Sequence, residues 1–198
     1  SLLTSLALVE TGTYPVNEAL RKGIFEVASI ATTTGFTTAD HANWPTFIPF
    51  LLLMSAFIGA CAGSTGGGIK IIRMLLLYKQ GSREIKRLIH PNAVIPIKLG
   101  RKPVGSRVID AVWGFLAAYV LIFAVLMLVC MALGEDPITA YSAVGACLNN
   151  LGPGLGDATL NYSTLSDGTK YVLSFAMLLG RLELFTLLVV LSPSFWEH

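Results

Sequence analysis

Apolar residues along this chain form runs of unequal length. The run at 111–133, AVWGFLAAYVLIFAVLMLVCMAL, contains 23 residues and no charge. Because a membrane-spanning helix needs about 20 apolar residues, this run predicts a transmembrane helix. The run at 171–191 also predicts a span, although it contains Arg181 and Glu183, and the run at 45–61 is apolar until it reaches glycines. Together these runs predict an all-α membrane protein.

The first nine residues, SLLTSLALV, are apolar but too few to span a bilayer. No helix start signal precedes them, and the basic region that opens a signal peptide is absent. We therefore expect them to be the end of a helix that begins in preceding sequence, so that the chain is part of a longer polypeptide.

Two shorter helix-compatible runs, 17–31 and 137–148, resemble each other. Asn17 and Asp136 are predicted N-caps, and Pro137 suits the first helical position of the second run. Neither run is long enough to cross a bilayer. Each ends in a polar turn built on glycine, with the sequences TTTGF at 32–36 and NNLGP at 149–153.

A shift of 117 positions superimposes these two patterns and pairs four identical residues. A fifth pair follows once four additional loop residues are allowed. The pairs are Glu18 with Glu135, Val27 with Val144, Gly35 with Gly152, Asp40 with Asp157, and Gly59 with Gly180. The pattern predicts an internal repeat of spanning helix, re-entrant half-helix, turn and spanning helix. One unit is complete at 107–191, and the unit at 1–90 lacks most of its first helix.

The polar turns suggest ion chemistry. Non-helical backbone at membrane depth is tolerated only where it is buried in protein or lines water. A half-helix directs the partial negative charge of its C-terminus into the membrane, and backbone carbonyls replace the hydration shell of K⁺ in selectivity filters. Glycine permits the positive φ that orients successive carbonyls alike. TTTG is therefore predicted to be an ion-filter turn with threonine hydroxyls as additional ligands; the alternative is an ordinary extracellular loop.

The distribution of charged residues predicts how the chain is oriented in the membrane. Only 13% of the residues are charged, against about a quarter in a soluble domain. Ten Lys and Arg residues lie from Lys70 to Arg107, against the single acid Glu84. The positive-inside rule places this segment in the cytoplasm; a nucleic-acid patch is the alternative, which the flanking apolar runs disfavour. The three cysteines lie in apolar contexts without disulfide or metal spacing and are predicted to be packing thiols.

A glycine-rich interruption, AGSTGGGI at 62–69, follows the apolar run at 45–61. Each glycine costs about 1 kcal/mol relative to alanine inside a helix, so a continuous helix is not expected. A phosphate-binding loop requires Gly-Lys-Ser/Thr, which GGGIKII does not provide. A kink for helix packing is the remaining alternative to the favoured interpretation, an intramembrane loop below the filter that obstructs conduction until it is displaced. The predicted gating glycines are Gly63, Gly66, Gly67 and Gly68.

Arg181 lies 11 residues after Lys170, which on a helix is about 16 Å deeper. Ionisable groups at such depth are costly and face a cavity or a partner. Glu183, two positions away, lies on another face and is not an intrahelical partner. We interpret Arg181 as a pore-facing charge that limits cation flow; the alternative is a structural ion pair with another unit.

Three stretches, ATTTGFTTAD at 31–40, GACAGSTGGGIKIIR at 59–73 and LLGRLELF at 178–185, resemble the Trk/Ktr/HKT potassium transporters, most closely the bacterial TrkH branch. The resemblance implies a pore of four helix–pore-helix–helix units. It assigns 1–90 to the third unit, 91–106 to a cytoplasmic linker and 107–198 to the fourth unit.

The same resemblance implies which residues meet the ion. The implied K⁺ ligands are the carbonyls of Thr33, Thr34, Asn150 and Leu151, with Gly35 and Gly152 as hinges. The second turn, NNLGPG, has no hydroxyl, so it departs from the Thr-Gly theme and leaves a reduced filter.

The expected function is K⁺ uptake by a multi-pass protein of the bacterial inner membrane, without enzymatic activity and without a cofactor other than the transported ion. Passive channel and ion-coupled symport stay open. The implied partners are a cytoplasmic nucleotide-binding regulatory ring of the TrkA type at the basic segment 83–103, the remaining half of the transporter or another copy, a homodimeric partner and lipid, with no nucleic acid. The alternative is a membrane-embedded enzyme or assembly subunit that uses Arg181 and Glu183, disfavoured because no nucleophile, metal cluster or acid/base pair accompanies them.

Overall fold

The computed structural model describes residues 1–45, 47–59, 61, 63, 66–93, 95–159, 161–182 and 184–196. Its helices are α1 (Leu2–Glu10), α2 (Val16–Ala31), α3 (Ile48–Ile58), α4 (Ile71–Ile89), α5 (Ser106–Ala132), α6 (Pro137–Leu148), α7 (Asp167–Arg181), α8 (Leu184–Leu191) and α9 (Pro193–Trp196). Two short 3-10 helices occupy His41–Asn43 and Gly156–Ala158. The described residues form one antiparallel hairpin, β1 (Lys98–Leu99) with β2 (Lys102–Pro103). The predicted all-α class is confirmed.

The starts of the two half-helices differ. The carboxyl group of Asp136 caps α6 as predicted, accepting hydrogen bonds from the N–H groups two and three residues later at 3.0 and 3.1 Å. Helix α2 instead begins at Val16, and its N-cap is the extended residue Pro15 (φ −63°, ψ 155°), which has no N–H to satisfy. Asn17 lies inside the first turn, so its predicted N-cap role is wrong.

The two half-helices are packed in the same way. Helix α2 lies between α1 and α3, and α6 lies between α5 and α7. A contact between α3 and α6 joins the two groups. Nine of the 12 residues of α6 are buried, which places this half-helix at the centre of the molecule.

The last carbonyl group of each half-helix lies in close contact with a glycine of the helix that follows. A Cβ atom on Gly59, at the end of α3, would overlap the carbonyl oxygen of Ala31, the last residue of α2. A Cβ atom on Gly180, in α7, would overlap the carbonyl oxygen of Leu148, the last residue of α6. Ala31 and Leu148 differ by the same 117 positions as the two sequence patterns. Both units therefore place a glycine on the terminal carbonyl of their half-helix.

Long continuous spans are fewer than the sequence predicts. Among the described helices, α5 is the one that is long and apolar enough to cross a membrane, and α3 is a shorter apolar helix of 11 residues. The predicted continuous helix at 171–191 is wrong, because α7 ends at Arg181 and α8 begins at Leu184. Glu183 lies outside the described residues. The break adjoins a cavity, where interrupted backbone at membrane depth can be tolerated.

Apolar packing holds the two units together. The ring of Phe57, from α3, makes edge-to-face contacts with Tyr119 and Phe123 of α5, at centroid distances of 6.2 and 5.5 Å. Cys130 and Cys147 are buried and free, as predicted for packing thiols, whereas Cys61 is exposed and does not fit that prediction. Its position directly before the glycine-rich interruption, outside the described helices, accounts for the difference.

Candidate functional site

The turns that follow α2 and α6 have the same backbone geometry. Thr33 and Asn150 adopt positive φ angles of 55° and 54°, and the glycines two residues later, Gly35 and Gly152, adopt 80° and 105°. These positions are again 117 residues apart. A positive φ is uncommon for residues other than glycine. Its occurrence at both equivalent positions indicates that the two turns are built to one plan.

The hydrogen bonds that end the two half-helices also correspond. Thr33 and Thr34 donate their N–H groups to the carbonyls of Ile30 and Ser29 at 3.1 and 2.8 Å. In the second unit, the N–H groups of Asn150 and Leu151 make the equivalent bonds at 3.0 and 2.8 Å. This pattern is a Schellman motif, in which a left-handed residue usually occupied by glycine satisfies the last helical carbonyls. The chain therefore leaves both helices in the same direction.

The two turns lie against each other. A Cβ atom on Gly35 would overlap the carbonyl oxygen of Leu151 and would lie 3.4 Å from Cδ of Pro153. The first turn thus accommodates only glycine at this position, both for its positive φ and for this close approach. This contact places Gly35, which directly follows the predicted ligands Thr33 and Thr34, against the predicted ligand Leu151.

Side chains of the half-helices hold the segments that follow the turns. The hydroxyl of Ser29 donates to the carbonyl of Phe36 at 2.6 Å. In the second unit, Ser142 Oγ accepts a hydrogen bond from the N–H of Leu155 at 2.9 Å, and Thr139 Oγ1 accepts one from the N–H of Asp157 at 3.2 Å. These contacts fix the backbone on the far side of each turn.

Glu26, also on α2, accepts three hydrogen bonds from the segment that follows the first turn. Its side chain is completely buried, and its Oε1 atom accepts hydrogen bonds from the N–H and hydroxyl of Thr38 and from the N–H of Ala39. Sequence reasoning missed Glu26, Ser29, Thr139 and Ser142. The available signal was a pair of polar residues spaced three apart in each half-helix, Glu26 with Ser29 and Thr139 with Ser142.

The second turn has its own polar supports. Asn149, which is buried, accepts a hydrogen bond at Oδ1 from the Tyr119 hydroxyl at 2.7 Å. The hydroxyl of Tyr162 donates to the carbonyl oxygen of Gly152, and burial raises the pKa of Tyr162. Because that carbonyl accepts a protein hydrogen bond, Gly152 is held by the loop after the turn rather than being an unrestrained hinge.

The glycine-rich interruption passes directly under the second turn. A Cβ atom on the buried residue Gly67 would overlap the carbonyl oxygen of Asn149. Gly68 (φ 82°) would place a Cβ atom 2.9 Å from the carbonyl oxygen of Ala56, and the next residue, Ile69, donates its N–H to Phe57 at 2.9 Å. The loop therefore lies between the end of α3 and the end of α6.

The four predicted gating glycines are not equivalent. Gly67 and Gly68 make the close backbone approaches just described. Gly63 has a positive φ of 81°, and a Cβ atom there would meet nothing within 4 Å. Ala62, Ser64 and Thr65 of the same predicted loop lie outside the described residues. Among the described residues of the loop, Gly67 and Gly68 therefore make the close contacts with the second turn and the end of α3.

A cavity of about 150 Å³ lies beside this loop, and Arg181 is in its wall. The other lining residues are Gly66, Gly68, Lys70, Arg73, Phe115, Tyr119, Leu148, Leu179, Gly180 and Leu184. The guanidinium of Arg73 lies over the Phe115 ring, 4.0 Å from its centroid. The glycine loop, the terminal residue of α6 and three basic side chains therefore share one cavity. The predicted role of Arg181 as a pore-facing charge stays a prediction, and the structure shows that this residue lines the cavity.

Two aspartates lie beyond the turns. Asp40 and Asp157, which are paired by the sequence repeat, line a second cavity of about 450 Å³ together with Asn43, Asn161 and other polar residues. Both carboxylates are exposed. The two cavities thus lie in different parts of the fold. The cavity lined by Asp40 and Asp157 adjoins the segments after the turns, whereas the cavity lined by Arg181 adjoins the glycine loop.

Comparison with known proteins gives consistent matches over almost the whole chain. The TrkH family model, described as a cation transport protein, matches residues 4–198. The Trk system potassium uptake protein TrkH of Halomonas elongata is 52% identical over 196 residues, covering 99% of this chain and 41% of the relative. The protein of that name from Escherichia coli (strain K12) is 56% identical over 179 residues, covering 90% of this chain and 37% of the relative.

A solved structure matches as well. The crystal structure of the potassium transporter TrkH from Vibrio parahaemolyticus has a TM-score of 0.92 and 53% sequence identity, covering 99% of this chain and 42% of that protein. The chain therefore spans about two fifths of the length of the relatives that it matches.

Proposed function

This chain belongs to the TrkH family of cation transport proteins, and from that premise we propose that it supplies two units of a potassium uptake pore in the bacterial inner membrane. The resemblance inferred from three sequence stretches is confirmed by the family match. The ion is inferred from the relatives, which are named as potassium uptake proteins. The observation that carries the proposal is the pair of equivalent turns after α2 and α6, with left-handed residues at Thr33 and Asn150.

In this proposal the turns form part of a selectivity filter. Backbone carbonyls replace the water shell of a dehydrated K⁺ ion, and the negative ends of α2 and α6 favour a cation nearby. The proposed ligands are the carbonyls of Thr33, Thr34, Asn150 and Leu151. The close approach of Gly35 to Leu151 supports this, because it holds the first turn against a proposed ligand carbonyl of the second.

The proposed gate is the glycine loop. Its support is the position of Gly67 against the backbone of Asn149, directly next to the second turn. An obstruction there must move aside before an ion can leave the filter. Arg181 would add an electrostatic barrier, because it lines the adjoining cavity and a fixed positive charge repels a cation more strongly in low dielectric than in water.

Two turns cannot surround an ion on four sides, so further units must complete the pore. We propose that they come from additional sequence or from another copy of the chain. The basic segment 83–103 is placed on the cytoplasmic side by the positive-inside rule, where it would face a nucleotide-binding regulatory ring. Leu88 and Ile89, near the end of α4, are 83% and 67% exposed, which supports a contact surface there. The transport function makes an enzyme based on Arg181 and Glu183 the disfavoured alternative.

A chimeric transporter tests the proposal. This chain replaces the matched region of the Escherichia coli relative, with which it shares 56% identity, in a strain without other potassium uptake systems. We expect the chimera to restore growth at low K⁺ and to carry K⁺ in preference to Na⁺ after purification into liposomes. A chimera that reaches the membrane but carries both ions equally would contradict a potassium filter built by these turns.

A further inference from the structure

A buried carboxyl group lies directly behind the first turn. Glu26 is 0% exposed, and its Oε1 atom is 2.6 Å from the N–H and 3.0 Å from the hydroxyl of Thr38, and 3.1 Å from the N–H of Ala39. Burying a polar group is costly unless it is hydrogen-bonded. Here one oxygen atom gathers three donors from the segment that follows Gly35, so Glu26 fixes where that segment runs.

The other oxygen of the same carboxyl group is positioned differently. Its Oε2 atom lies 3.7 Å from Nδ1 of His41, beyond hydrogen-bond distance, and neither atom has a hydrogen-bond partner among the described residues. His41 is 4% exposed and begins the 3-10 helix directly after the segment that Oε1 holds. Glu26 from α2 and Asp40 from its own loop are the charged groups that act on His41.

The second unit has no such pair. The position 117 residues after Glu26 is Ala143, and the corresponding segment is held by the hydroxyls of Ser142 and Thr139. Hydroxyl groups do not titrate in the physiological range. A proton-dependent change would therefore act on the first turn and leave the second one unchanged.

We propose that Glu26 is a positioning residue for the first filter turn and that His41 makes this hold depend on the pH of the compartment that the turn faces. The inference rests on the proposed function, in which the first turn is part of the filter. It assigns roles to two buried residues that lie outside the turn itself and do not touch the ion.

The electrostatics give the expected direction. Burial lowers the pKa of His41 below its ordinary value, against the opposing effects of Glu26, the Ala39 backbone and Asp40, so the imidazole is neutral at neutral pH. When the pH falls through this lowered pKa, a proton on His41 faces Oε2 of Glu26, and a charge-assisted hydrogen bond is shorter than the present 3.7 Å separation. That bond ties both carboxyl oxygens to the segment after the turn, and we expect K⁺ selection to become stricter.

The test measures the K⁺-to-Na⁺ flux ratio of the assembled transporter in liposomes at about pH 7.5 and about pH 4.5. The first value lies above the ordinary histidine pKa of about 6.5 and the second well below it, because burial lowers the pKa of His41. Wild type should show a higher ratio at the lower pH. His41→Gln should remove this difference and keep the ratio measured at the higher pH. Ser142→Ala, in the second unit, serves as the matched control and should retain the pH difference.

Variants of Glu26 separate its two roles. Glu26→Gln keeps an oxygen acceptor for Thr38 and Ala39, so the ratio at the higher pH should stay within about twofold of wild type, while the pH difference is lost. Glu26→Ala removes the acceptor and should lower the ratio about fivefold or more, because donors are left without a partner. If Glu26→Ala does not assemble, the comparison of Glu26→Gln with wild type still decides the question.

Three outcomes would overturn the inference. A wild-type ratio that does not change with pH removes the role of His41, and so does a pH difference that survives in His41→Gln. A Glu26→Ala variant that selects K⁺ as wild type does would show that Glu26 does not position the turn. In each case a potassium-selective wild type leaves the proposed function intact, whereas an unselective wild type refutes that function instead.

Discussion

Replacement of Gly35 by valine is expected to destroy potassium selection. Gly35 has a φ of 80°, and a left-handed conformation costs a residue with a side chain about 1–2 kcal/mol. The added Cβ atom would also overlap the carbonyl oxygen of Leu151. Since carbon atoms pack at about 3.5–4.0 Å, one turn must retreat by about 1 Å or more.

This displacement acts on the proposed ligands themselves, because Leu151 supplies one of the carbonyls and Thr34 precedes Gly35 directly. If about 1.4 kcal/mol of the strain is expressed as poorer discrimination, the K⁺-to-Na⁺ flux ratio falls about tenfold. The assay is the flux ratio of the assembled transporter in liposomes, with expression and thermal unfolding measured in parallel.

Gly12→Val is the matched control for this experiment. Gly12 also has a positive φ, 67°, but a Cβ atom there would meet nothing within 4 Å. It therefore carries the backbone strain without the contact between turns, and its flux ratio should equal that of wild type. An unchanged ratio for Gly35→Val in a well-folded protein would remove this turn from the filter and refute the reasoning.

Three further outcomes are expected. Deleting residues 64–67 should raise K⁺ flux and leave the flux ratio unchanged, because the obstruction beside Asn149 is shortened; flux at background level in a folded protein would mean that the loop is structural. Arg181→Ala should give a stable protein with higher K⁺ flux, whereas a protein that no longer assembles would mean that Arg181 holds helices together, since an orphaned buried partner destabilises by about 3–5 kcal/mol. Asp136→Ala should lower the free energy of unfolding by about 1 kcal/mol through loss of the α6 cap. Hydrogen bonds from Thr139 lower the pKa of Asp136. The cap therefore contributes its full stability above the ordinary aspartate pKa of about 3.9, and this stability is lost as the pH falls through the lowered value. Thermal unfolding at several pH values checks this, and equal stability of Asp136→Ala and wild type at neutral pH would contradict it.

The half-helices could be read from the sequence because their signals are local. The run at 137–148 matches α6 in full, since a capping aspartate and Pro137 mark its start and a polar turn marks its end. The repeat of 117 residues was inferred from identical residues at equivalent positions. Thr33 and Asn150, which are also 117 positions apart, have nearly equal φ angles in the structure. Local chemistry and internal repetition were therefore sufficient for the ends of both half-helices and for the cap of α6, but not for the start of α2, where Pro15 and not Asn17 is the N-cap.

Contacts between distant residues could not be read in the same way. Gly35 approaches Leu151, and Gly67 approaches Asn149, across long separations in the chain that a single sequence does not connect. The partner of Glu26 is a turn 12 residues away, so its carboxyl group looked like one acid among several. The break after Arg181 was missed for a related reason: hydropathy measures whether a run can be buried, not whether its backbone is interrupted beside a cavity.

The glycine contacts that close off the two half-helices have a consequence for protein engineering. Each turn begins a connecting segment that ends at Gly59 or Gly180. These two glycines lie against the last carbonyls of the half-helices, at Ala31 and Leu148. The connecting segments between these fixed points differ by four residues, yet the turns keep one geometry. Connector length is thus decoupled from filter geometry. An epitope tag or a fluorophore can therefore be inserted in a connecting segment without rebuilding the pore, provided that the insertion leaves Tyr162 in place, because its hydroxyl holds the carbonyl of Gly152.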